Sequence, residues 1–562
     1  MACLLRVTGL ILFTLAALAQ EKNSAPAPAT EKWKISGIVV DATSSTPLAG
    51  VEVALAAIAT RNDFRTTTTA EDGRFAFDNL GPGKYTLTGQ RKGYVREFFD
   101  QHAQYSTSIA VGPKLQSENL FFRLHRDASI SGTVTDDQNE PVRNAEITLL
   151  QESIFNGEII LRARGTANDE GVYHFGHLTP GKYFVAVSCQ PWYAQRPYRF
   201  SSKTTRTITD NGTTEIRGTN DHQDAAEEQQ RNSPLDVAYP VTFYPGATEF
   251  EAAAPIVLSS GDRFTADLNL RAVPAIHLQI TGSIPVQGGN AQVQAHIPGG
   301  VDMPVRSTSM QVEPGVMEVS GLVPGHYFLH MNLYDGKNWS NSSKEVTVSG
   351  DARITVDEKD SYVPLSGTLK LEPLGPFPER GQVIFRNKAS GRRFFATISI
   401  KGEFEVDRGV LAGRYEISVS AIDYFLKSMT ATGGRVAGRI LDVTTGTPVK
   451  LTLEMTQGLG QINGVALKND TPLGSVMVVL VPQDPVANPQ YFRRDQSDSD
   501  GTFTLASVVP GKYTAIAIEN GWDLQWGNPK ALKPYMAQGT PVQVEPKGKY
   551  DIKVKIQSVY TQ

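Results

Sequence analysis

Cysteine is nearly absent from this sequence of 562 residues, which contains only Cys3 and Cys189. Cys3 lies in an N-terminal segment that we expect to be removed on export, and the one cysteine left cannot form an intramolecular disulfide. Each folded unit must therefore be held together by its apolar core. An exported protein without disulfides is more typical of a bacterium than of an animal secretion.

Excess charge and long apolar runs are also missing. The net charge is -4, so the chain has no excess of basic residues and we expect no nucleic acid partner. The apolar run 10–18 follows Arg6 and ends in the small-residue sequence Ala17-Leu18-Ala19. It is shorter than the ~20 residues of a membrane span and has the order of a signal peptide. We therefore predict a leader at 1–19, a linker at 20–32 and no transmembrane span in the mature chain.

Catalytic motifs are missing as well. No histidine is followed by glutamate three residues later, and the H-E-x-x-H, G-x-S-x-G and Walker A patterns do not occur. His174 and His177 lie three apart on a predicted strand, so we expect them to face opposite sides and not to share a metal. The acidic run Asp495, Asp498 and Asp500 departs from a calcium loop at its first and last ligands, which favours a solvated hairpin turn. The sequence predicts no enzyme activity, no metal and no cofactor.

An internal repeat is the dominant positive feature. A Pro-Gly-Lys-Tyr motif or a variant of it recurs five times, ending at Tyr85, Tyr183, Tyr327, Tyr415 and Tyr513. An apolar-polar-Gly motif precedes each tyrosine by 48, 51, 45, 48 and 49 residues, with its glycine at Gly37, Gly132, Gly282, Gly367 and Gly464. Such regular spacing indicates one structural unit used five times.

Between the apolar-polar-Gly motif and the repeated tyrosine, each unit carries a glycine followed by alternating apolar residues, as in Gly73, Phe75 and Phe77. Side chains two apart lie on one face of a strand, and the glycine suits the positive φ of a hairpin turn. Short strands separated by turns predict an all-β fold. We expect a tandem array of about five small antiparallel β-sandwiches with Ig-like, Greek-key connections.

The repeat divides the chain into predicted domains. The sandwiches are expected at 33–126, 127-272, 273-360, 361-458 and 459-562, the third and fourth being degenerate. The second is the longest, and a polar stretch at about 201-236 is interpreted as an insertion without strands. We expect limited proteolysis to cut first within this insertion.

The repeated motifs resemble the carboxypeptidase regulatory-like domain, a transthyretin-like (prealbumin-like) sandwich related to carbohydrate-binding folds. The resemblance rests on I-S-G-x-V, the D/E-G-x-[FY]-x-F hairpin and L-x-P-G-K-Y, and it extends over about 33–562. It implies a role in interaction or structure, and the catalytic domain that accompanies it in metallocarboxypeptidases is not recognisable in this sequence. Fold resemblance alone does not define a ligand.

Aromatic residues are the remaining candidates for binding. Trp522, Trp526 and Tyr535 follow the last repeated tyrosine, and Trp192 and Tyr193 hold the matching place in the second unit. Exposed rings could stack on sugars, whereas buried rings would close the end of a small core. Both interpretations remain open from the sequence.

Three functions follow as hypotheses. The first is a non-catalytic exported protein for binding or structural support at the bacterial cell envelope, with polysaccharide or an envelope protein as partner. Its location would be the periplasm, the outer cell surface or the medium. The second is an accessory subunit of an outer-membrane uptake or assembly system. The third is a hydrolase with an unrecognised site.

Overall fold

The computed structural model describes residues 32–60, 64–195, 206–210, 213–217, 233–282, 288–297, 300–313, 315–334, 339–356, 362–375, 377, 381–420 and 423–559. The regular secondary structure of these residues is almost entirely β-strand, and the strands form five β-sandwiches in sequence order. The predicted all-β fold class is confirmed. Each sandwich encloses its own apolar core, and each core lies within one predicted range. The exact boundaries between the ranges remain predictions.

The first three sandwiches are built from eight to ten strands each. The first contains Trp33–Asp41, Glu52–Ala57, Phe64–Thr68, Arg74–Leu80, Gly83–Gln90, Glu97–Phe98, Ile109–Val111 and Leu120–Leu124. The second contains Ala128–Thr135, Glu146–Glu152, Ile159–Thr166, Val172–Leu178, Gly181–Ser188, Val237–Ala238, Thr242–Phe243, Ile256–Leu258, Arg263–Thr265 and Leu268–Asn269, with a 3-10 turn at Phe250–Ala252. The third contains Val273–Pro274, Ile276–Gly282, Gly288–Ile297, Val301–Val305, Thr308–Glu313, Val316–Leu322, Gly325–Tyr334, Trp339–Val348 and Ala352–Val356.

The last two sandwiches are built from nine and eight strands. The fourth contains Leu365–Glu372, Gln382–Asn387, Arg393–Thr397, Glu403–Glu405, Gly413–Ser420, Tyr424–Thr432, Gly434–Ala437, Ile440–Val443 and Val449–Gln457. The fifth contains Gly460–Lys468, Thr471–Pro472, Met477–Pro482, Arg493–Gln496, Thr502–Val508, Gly511–Glu519, Thr540–Val544 and Lys549–Ser558. It also carries 3-10 turns at Pro489–Tyr491 and Lys533–Gln538 and one helical turn at Pro529–Leu532.

Every sandwich contains at least one parallel strand pair, which the sequence did not predict. The first long strand pairs antiparallel with the strand after the glycine hairpin and parallel with a strand near the end of the unit. In the first sandwich this parallel pair joins Trp33–Asp41 to Leu120–Leu124. Equivalent parallel pairs recur in the other four sandwiches.

The glycine of the first repeated motif allows this parallel strand to come close. A Cβ on Gly37 would lie 2.3 Å from the carbonyl oxygen of Leu120, and one on Gly132 would lie 2.2 Å from that of Ala266. No side chain fits at such a distance. The motif therefore repeats because the sandwich needs a backbone without a side chain at this point.

The repeated tyrosine has the same role in all five sandwiches. Its ring is buried in the core, and its hydroxyl donates a hydrogen bond to the carbonyl oxygen four residues upstream. The five acceptors are Gly81, Thr179, Val323, Leu411 and Val509, at 2.7–3.0 Å. This bond satisfies the buried hydroxyl and closes the preceding turn onto the strand.

The hairpin glycines adopt the predicted positive φ, for example +75° at Gly73. A bulge that the sequence did not predict follows in the same strand. Asn79, His177 and Ser507 hold equivalent places there with φ of 61°, 54° and 54°. The bulge shifts the alternation by one residue, so that a third apolar side chain such as Leu80 also faces the core.

The expectation that the polar stretch at 201-236 lacks strands is corrected by the structure, whereas its interpretation as an insertion stays a prediction. Arg206–Asp210 and Thr213–Arg217 form an antiparallel hairpin where no strand was predicted. Its strands are rich in β-branched residues and its connecting sequence is Asn-Gly, a signal that favours a two-residue hairpin turn. The residues at 218–232 lie outside the described part of the chain, as does the predicted leader.

Candidate functional site

The sandwiches are packed against one another and do not form an extended string. The second contacts the first through Arg126 and Ser260, and it contacts the fourth through Glu158, which accepts from Arg386 and Arg393. It also contacts the third and the fifth through apolar and aromatic side chains. The first and fifth meet directly, although they lie at opposite ends of the sequence. The array is therefore closed, and its joints are the first places to look for functional side chains.

An ion pair lies at the centre of the joint between the first and fifth sandwiches, which we call the 1–5 joint. The Lys84 ammonium lies 2.5 Å from the carboxylate of Asp498, 2.5 Å from the hydroxyl of Thr502 and 3.7 Å from Asp500. Lys84 belongs to the repeated Pro-Gly-Lys-Tyr turn. The aspartate run forms the predicted hairpin turn, but the prediction that this turn is solvated is wrong: Asp498 and Asp500 face the ammonium group of another sandwich.

Backbone and hydroxyl groups extend the 1–5 joint along one edge. The Ser108 amide donates to Asp498 at 2.9 Å, and the Ser499 amide donates to the Ser108 carbonyl at 2.9 Å. The Gln496 amide donates to the Thr107 hydroxyl at 2.8 Å, and it is itself buried. A strand-like contact with several satisfied polar groups thus joins segments about 390 residues apart.

An aromatic cage completes the 1–5 joint. The buried Arg494 guanidinium lies 4.5 Å from the ring centroid of Tyr105, 5.5 Å from that of Trp522 and 5.8 Å from that of Trp526. Cation–π attraction stabilises a charge in such surroundings. Burial lowers the pKa of Arg494 to about 10, so the group is still protonated at neutral pH. His102 of the first sandwich stacks on Trp522 with ring centroids 3.7 Å apart.

Two of the predicted sugar-stacking residues are corrected by this arrangement. Tyr535 is only 1% exposed and Trp526 only 9%, because both pack into a second apolar cluster of the fifth sandwich beside its short helical turns. Trp526 also contacts Phe155 of the second sandwich at 4.6 Å between ring centroids. Neither ring presents a free face to a sugar, and Trp522 is covered by His102.

The second aromatic pair lies in a different environment. Trp192 is 88% exposed, and its ring meets that of Tyr193 edge-on at 5.8 Å between centroids. The loop that carries them follows the Gly181–Ser188 strand. Sugar contact at Trp192 and Tyr193 stays a prediction.

The joint between the second and third sandwiches, which we call the 2–3 joint, is built differently. Most of it is apolar: Leu150 and Phe243 of the second sandwich pack against Ile297 and Met303 of the third in one buried cluster. Apolar burial of this kind contributes roughly 25 cal/mol per Å². Such a contact needs little directional bonding.

One buried charged group interrupts the apolar 2–3 joint. His277 lies between two buried carboxylates, with Nε2 2.7 Å from Asp236 of the second sandwich and Nδ1 bonded to Glu318 of its own. Burial lowers the pKa of His277, but the hydrogen bonds with Glu318 and Asp236 outweigh it and raise the pKa above its usual value. Both nitrogens can donate only when the ring is protonated. Sequence reasoning missed this group because its members are far apart in the chain.

The paired histidines of the second sandwich depart from the prediction. The bulge at His177 turns its side chain to the same exposed face as His174. His177 lies 3.0 Å from Asp127. Among the described residues no group of three or more His, Cys, Asp or Glu side chains could hold a metal ion.

The third and fourth sandwiches meet over a polar face. Arg392 of the fourth lies 3.6 Å above the ring centroid of Phe328 and is bonded to Asp302 at 2.6 Å and to His330 at 3.0 Å. Burial and the Arg392 charge lower the pKa of His330 to about 4, so this ring is neutral at physiological pH. An open cleft lies beside this contact.

Known proteins resemble the chain in part. The carboxypeptidase regulatory-like domain model matches residues 34–109 and 129–216, in the first and second sandwiches. The resemblance proposed from the repeated motifs is thereby confirmed for these two sandwiches, and for the other three it stays a prediction. No curated protein matches the chain.

Solved structures resemble the chain as arrays of β-rich domains. The Bacillus anthracis TIE protein is 12% identical, with 77% of this chain and 75% of that chain covered and a TM-score of 0.17. BcpA, the major pilin subunit of Bacillus cereus, is 10% identical, with 76% and 100% covered and a TM-score of 0.14. GBS52, a minor pilin of Streptococcus agalactiae, is 11% identical, with 43% and 96% covered and a TM-score of 0.19. At these TM-scores the likeness identifies no ligand or partner for this chain.

Proposed function

We propose that the chain is an exported, non-catalytic protein that acts in binding or structural support at the bacterial cell envelope. The proposal is supported by the position of ionisable side chains at the contacts between sandwiches. Lys84, Arg494 and His277 are groups that catalytic sites often employ, and in this chain they hold sandwiches together. The repeated fold thus serves to build one body from five units.

Two further features support an envelope role. The N-terminal sequence has the order of a signal peptide, and the match to the regulatory-like domain implies a role in interaction or structure. Among the described residues no helix has the length and apolar character needed to cross a bilayer. A polysaccharide or an envelope protein is the partner that we propose.

Cell fractionation tests the proposal. The full chain, expressed in a bacterium with its N-terminal segment, should be recovered with the periplasm, the outer surface or the medium, and a variant lacking residues 1–19 should stay in the cytoplasm. Chemical crosslinking of intact cells should then capture an envelope polysaccharide or protein. Recovery of both forms in the cytoplasm would contradict the proposal, as would strong turnover by the purified chain on a panel of hydrolase substrates.

The same crosslinking distinguishes the alternative function. A chain that co-purifies in fixed ratio with an outer-membrane uptake or assembly protein acts as an accessory subunit of that system. A chain that is captured with polysaccharide or with several envelope proteins acts as a binding or structural element.

A further inference from the structure

Three asparagines form a row across one face of the third sandwich. Asn290, Asn332 and Asn341 occupy three neighbouring strands in direct register, so their side chains project from the same side of the sheet. Asn332 donates to the side-chain oxygen of Asn290 at 3.0 Å. The row therefore places three side-chain amides at the spacing of adjacent strands.

The row lines a cleft between the third and fourth sandwiches. Its volume is about 560 Å³, and its lining residues are Gly289, Asn290, Asn332, Asn341 and Arg408. Small-molecule sites have volumes of roughly 300–1,000 Å³. The cleft is of suitable size for a small polar ligand, and its named walls are amide, backbone and guanidinium groups.

The amides supply both kinds of hydrogen-bonding group. Each asparagine offers two donor hydrogens and an accepting carbonyl oxygen. The bond between Asn332 and Asn290 uses one donor and one acceptor, so the row still offers both at neighbouring positions. A ligand with several hydroxyl groups, each a donor and an acceptor, matches such a row.

Arg408 adds one positive charge from the fourth sandwich. Its guanidinium lies 3.9 Å from the fully exposed carboxylate of Asp407, which is beyond hydrogen-bond distance. The adjacent Gly409 fixes the turn, because its φ is +79° and a Cβ there would lie 2.2 Å from the Val363 carbonyl oxygen. The exposed guanidinium can bind a carboxylate through two hydrogen bonds.

Hydrogen bonds join the third and fourth sandwiches beside the cleft. Next to the asparagine row, His330 and Ser343 are bonded to Tyr362 of the fourth sandwich at 2.9 Å and 2.7 Å. The Tyr362 amide donates to the Asn341 carbonyl at 3.2 Å. The two walls are therefore held in a defined relation before any ligand binds, which lowers the entropic cost of binding.

We propose that this cleft binds an acidic saccharide, with hydroxyls on the asparagine row and a uronate carboxylate on Arg408. The inference rests on the proposed envelope function and names the chemical class of the ligand. An extended peptide is a poorer match, because peptides that use sheets add to a strand edge. The amides instead project from the face of the sheet.

Binding measurements on the full chain test the proposal. The probes are uronate-containing oligosaccharides, neutral oligosaccharides of the same length and an acidic peptide, titrated by calorimetry. We expect the uronate probe to bind best and Arg408→Gln to weaken it by roughly tenfold or more, the effect of losing a charge-assisted hydrogen bond. Asn332→Ala should weaken both saccharides, and Arg408→Lys should recover part of the affinity.

A matched control separates the cleft from general charge effects. Arg123→Gln removes an exposed arginine of the first sandwich and should leave uronate affinity unchanged. Unaltered thermal midpoints for all variants would show that the fold is intact. Equal weakening by Arg123→Gln, preference for the acidic peptide, or no saccharide binding overturns the inference. A chain that associates with the envelope but binds no uronate refutes this inference alone, whereas uronate binding by a chain confined to the cytoplasm refutes the proposed function alone.

Discussion

The 1–5 joint and the 2–3 joint hold sandwiches together by different physical means. The 1–5 joint combines an ion pair, backbone hydrogen bonds and a cationic side chain among aromatic rings. The 2–3 joint is mainly an apolar cluster with a histidine buried between two carboxylates. Sandwiches that are adjacent in sequence are kept close together by the chain, so that apolar burial with little directional bonding can join them. The first and fifth sandwiches are far apart in sequence, and directional contacts select their pairing.

The largest effect should come from the buried histidine of the 2–3 joint. In His277→Ala the carboxylates of Asp236 and Glu318 lose the group between them, and breaking a buried ion pair costs about 3–5 kcal/mol. Hydrogen exchange of the Ile276–Gly282 strand should accelerate accordingly. The control is His326→Ala, since His326 is an exposed histidine of the same sandwich. Similar exchange rates in the two variants would show that the buried group does not stabilise the joint.

A smaller effect is expected at the ion pair of the 1–5 joint. Lys84→Met leaves Asp498 without its ammonium partner, and we expect the joint to lose about 1–3 kcal/mol. Exchange of the Ser108 and Ser499 amides, which lie across the joint, should report this loss.

The second repeat supplies the control for this substitution. Lys182 holds the position equivalent to Lys84, but it is more exposed and lies 3.5 Å from Glu152 of its own sandwich. Lys182→Met should therefore change stability by less than about 1 kcal/mol. A loss equal to that of Lys84→Met would mean that the joint does not depend on its ion pair.

The two joints should respond to pH in opposite directions. The pKa of His277 is raised in the folded chain, so its contribution is complete below about pH 6.5 and is lost as the pH rises through the folded value. Burial lowers the pKa of His102 in the 1–5 joint, so its contribution is present above about pH 6.5 and is lost as the pH falls. Amide protection factors, which correct for the intrinsic pH dependence of exchange, should therefore fall at the 2–3 joint in alkali and at the 1–5 joint in mild acid.

The effect of a nearby aspartate on the pH response of the 1–5 joint must be distinguished from that of His102. Burial raises the pKa of Asp495 to about 6, so this carboxyl favours the folded state as the pH falls and opposes the effect of His102. The acid response should be larger in Asp495→Asn, and His102→Gln should abolish it. A response of the same sign at both joints would contradict the assignment of these two histidines.

The smallest effect on stability is expected outside both joints. Trp192 is exposed, so Trp192→Ala should change the thermal unfolding free energy by no more than about 0.5 kcal/mol. If the ring stacks on a sugar, the same variant should lose binding on a glycan array. A large loss of stability would instead show that Trp192 packs against the protein.

The local elements of each sandwich could be predicted from sequence. The hairpin glycines and the alternating strands are marked by residues close together in the chain, as at Gly73 and Tyr85. The parallel closing strand could not be predicted in the same way, because Leu120–Leu124 carries no repeated glycine or tyrosine. Its partner is selected by tertiary packing across about 80 residues.

The contacts at the joints could not be predicted from the sequence, for a related reason. Lys84 has the same neighbours in sequence as Lys182, yet only Lys84 meets the aspartates of the fifth sandwich. Likewise, the local pattern around Trp526 marks an aromatic cluster but not what covers it. Burial of that ring depends on Phe155, which is more than 370 residues away.

The parallel pairing of first and closing strands has a mechanical consequence. If the two ends of a sandwich are pulled apart, adjacent parallel strands such as Trp33–Asp41 and Leu120–Leu124 are loaded in shear. Their hydrogen bonds run across the direction of pull, so several must break together rather than one after another. Each unit is therefore built to resist tension that is applied along the chain.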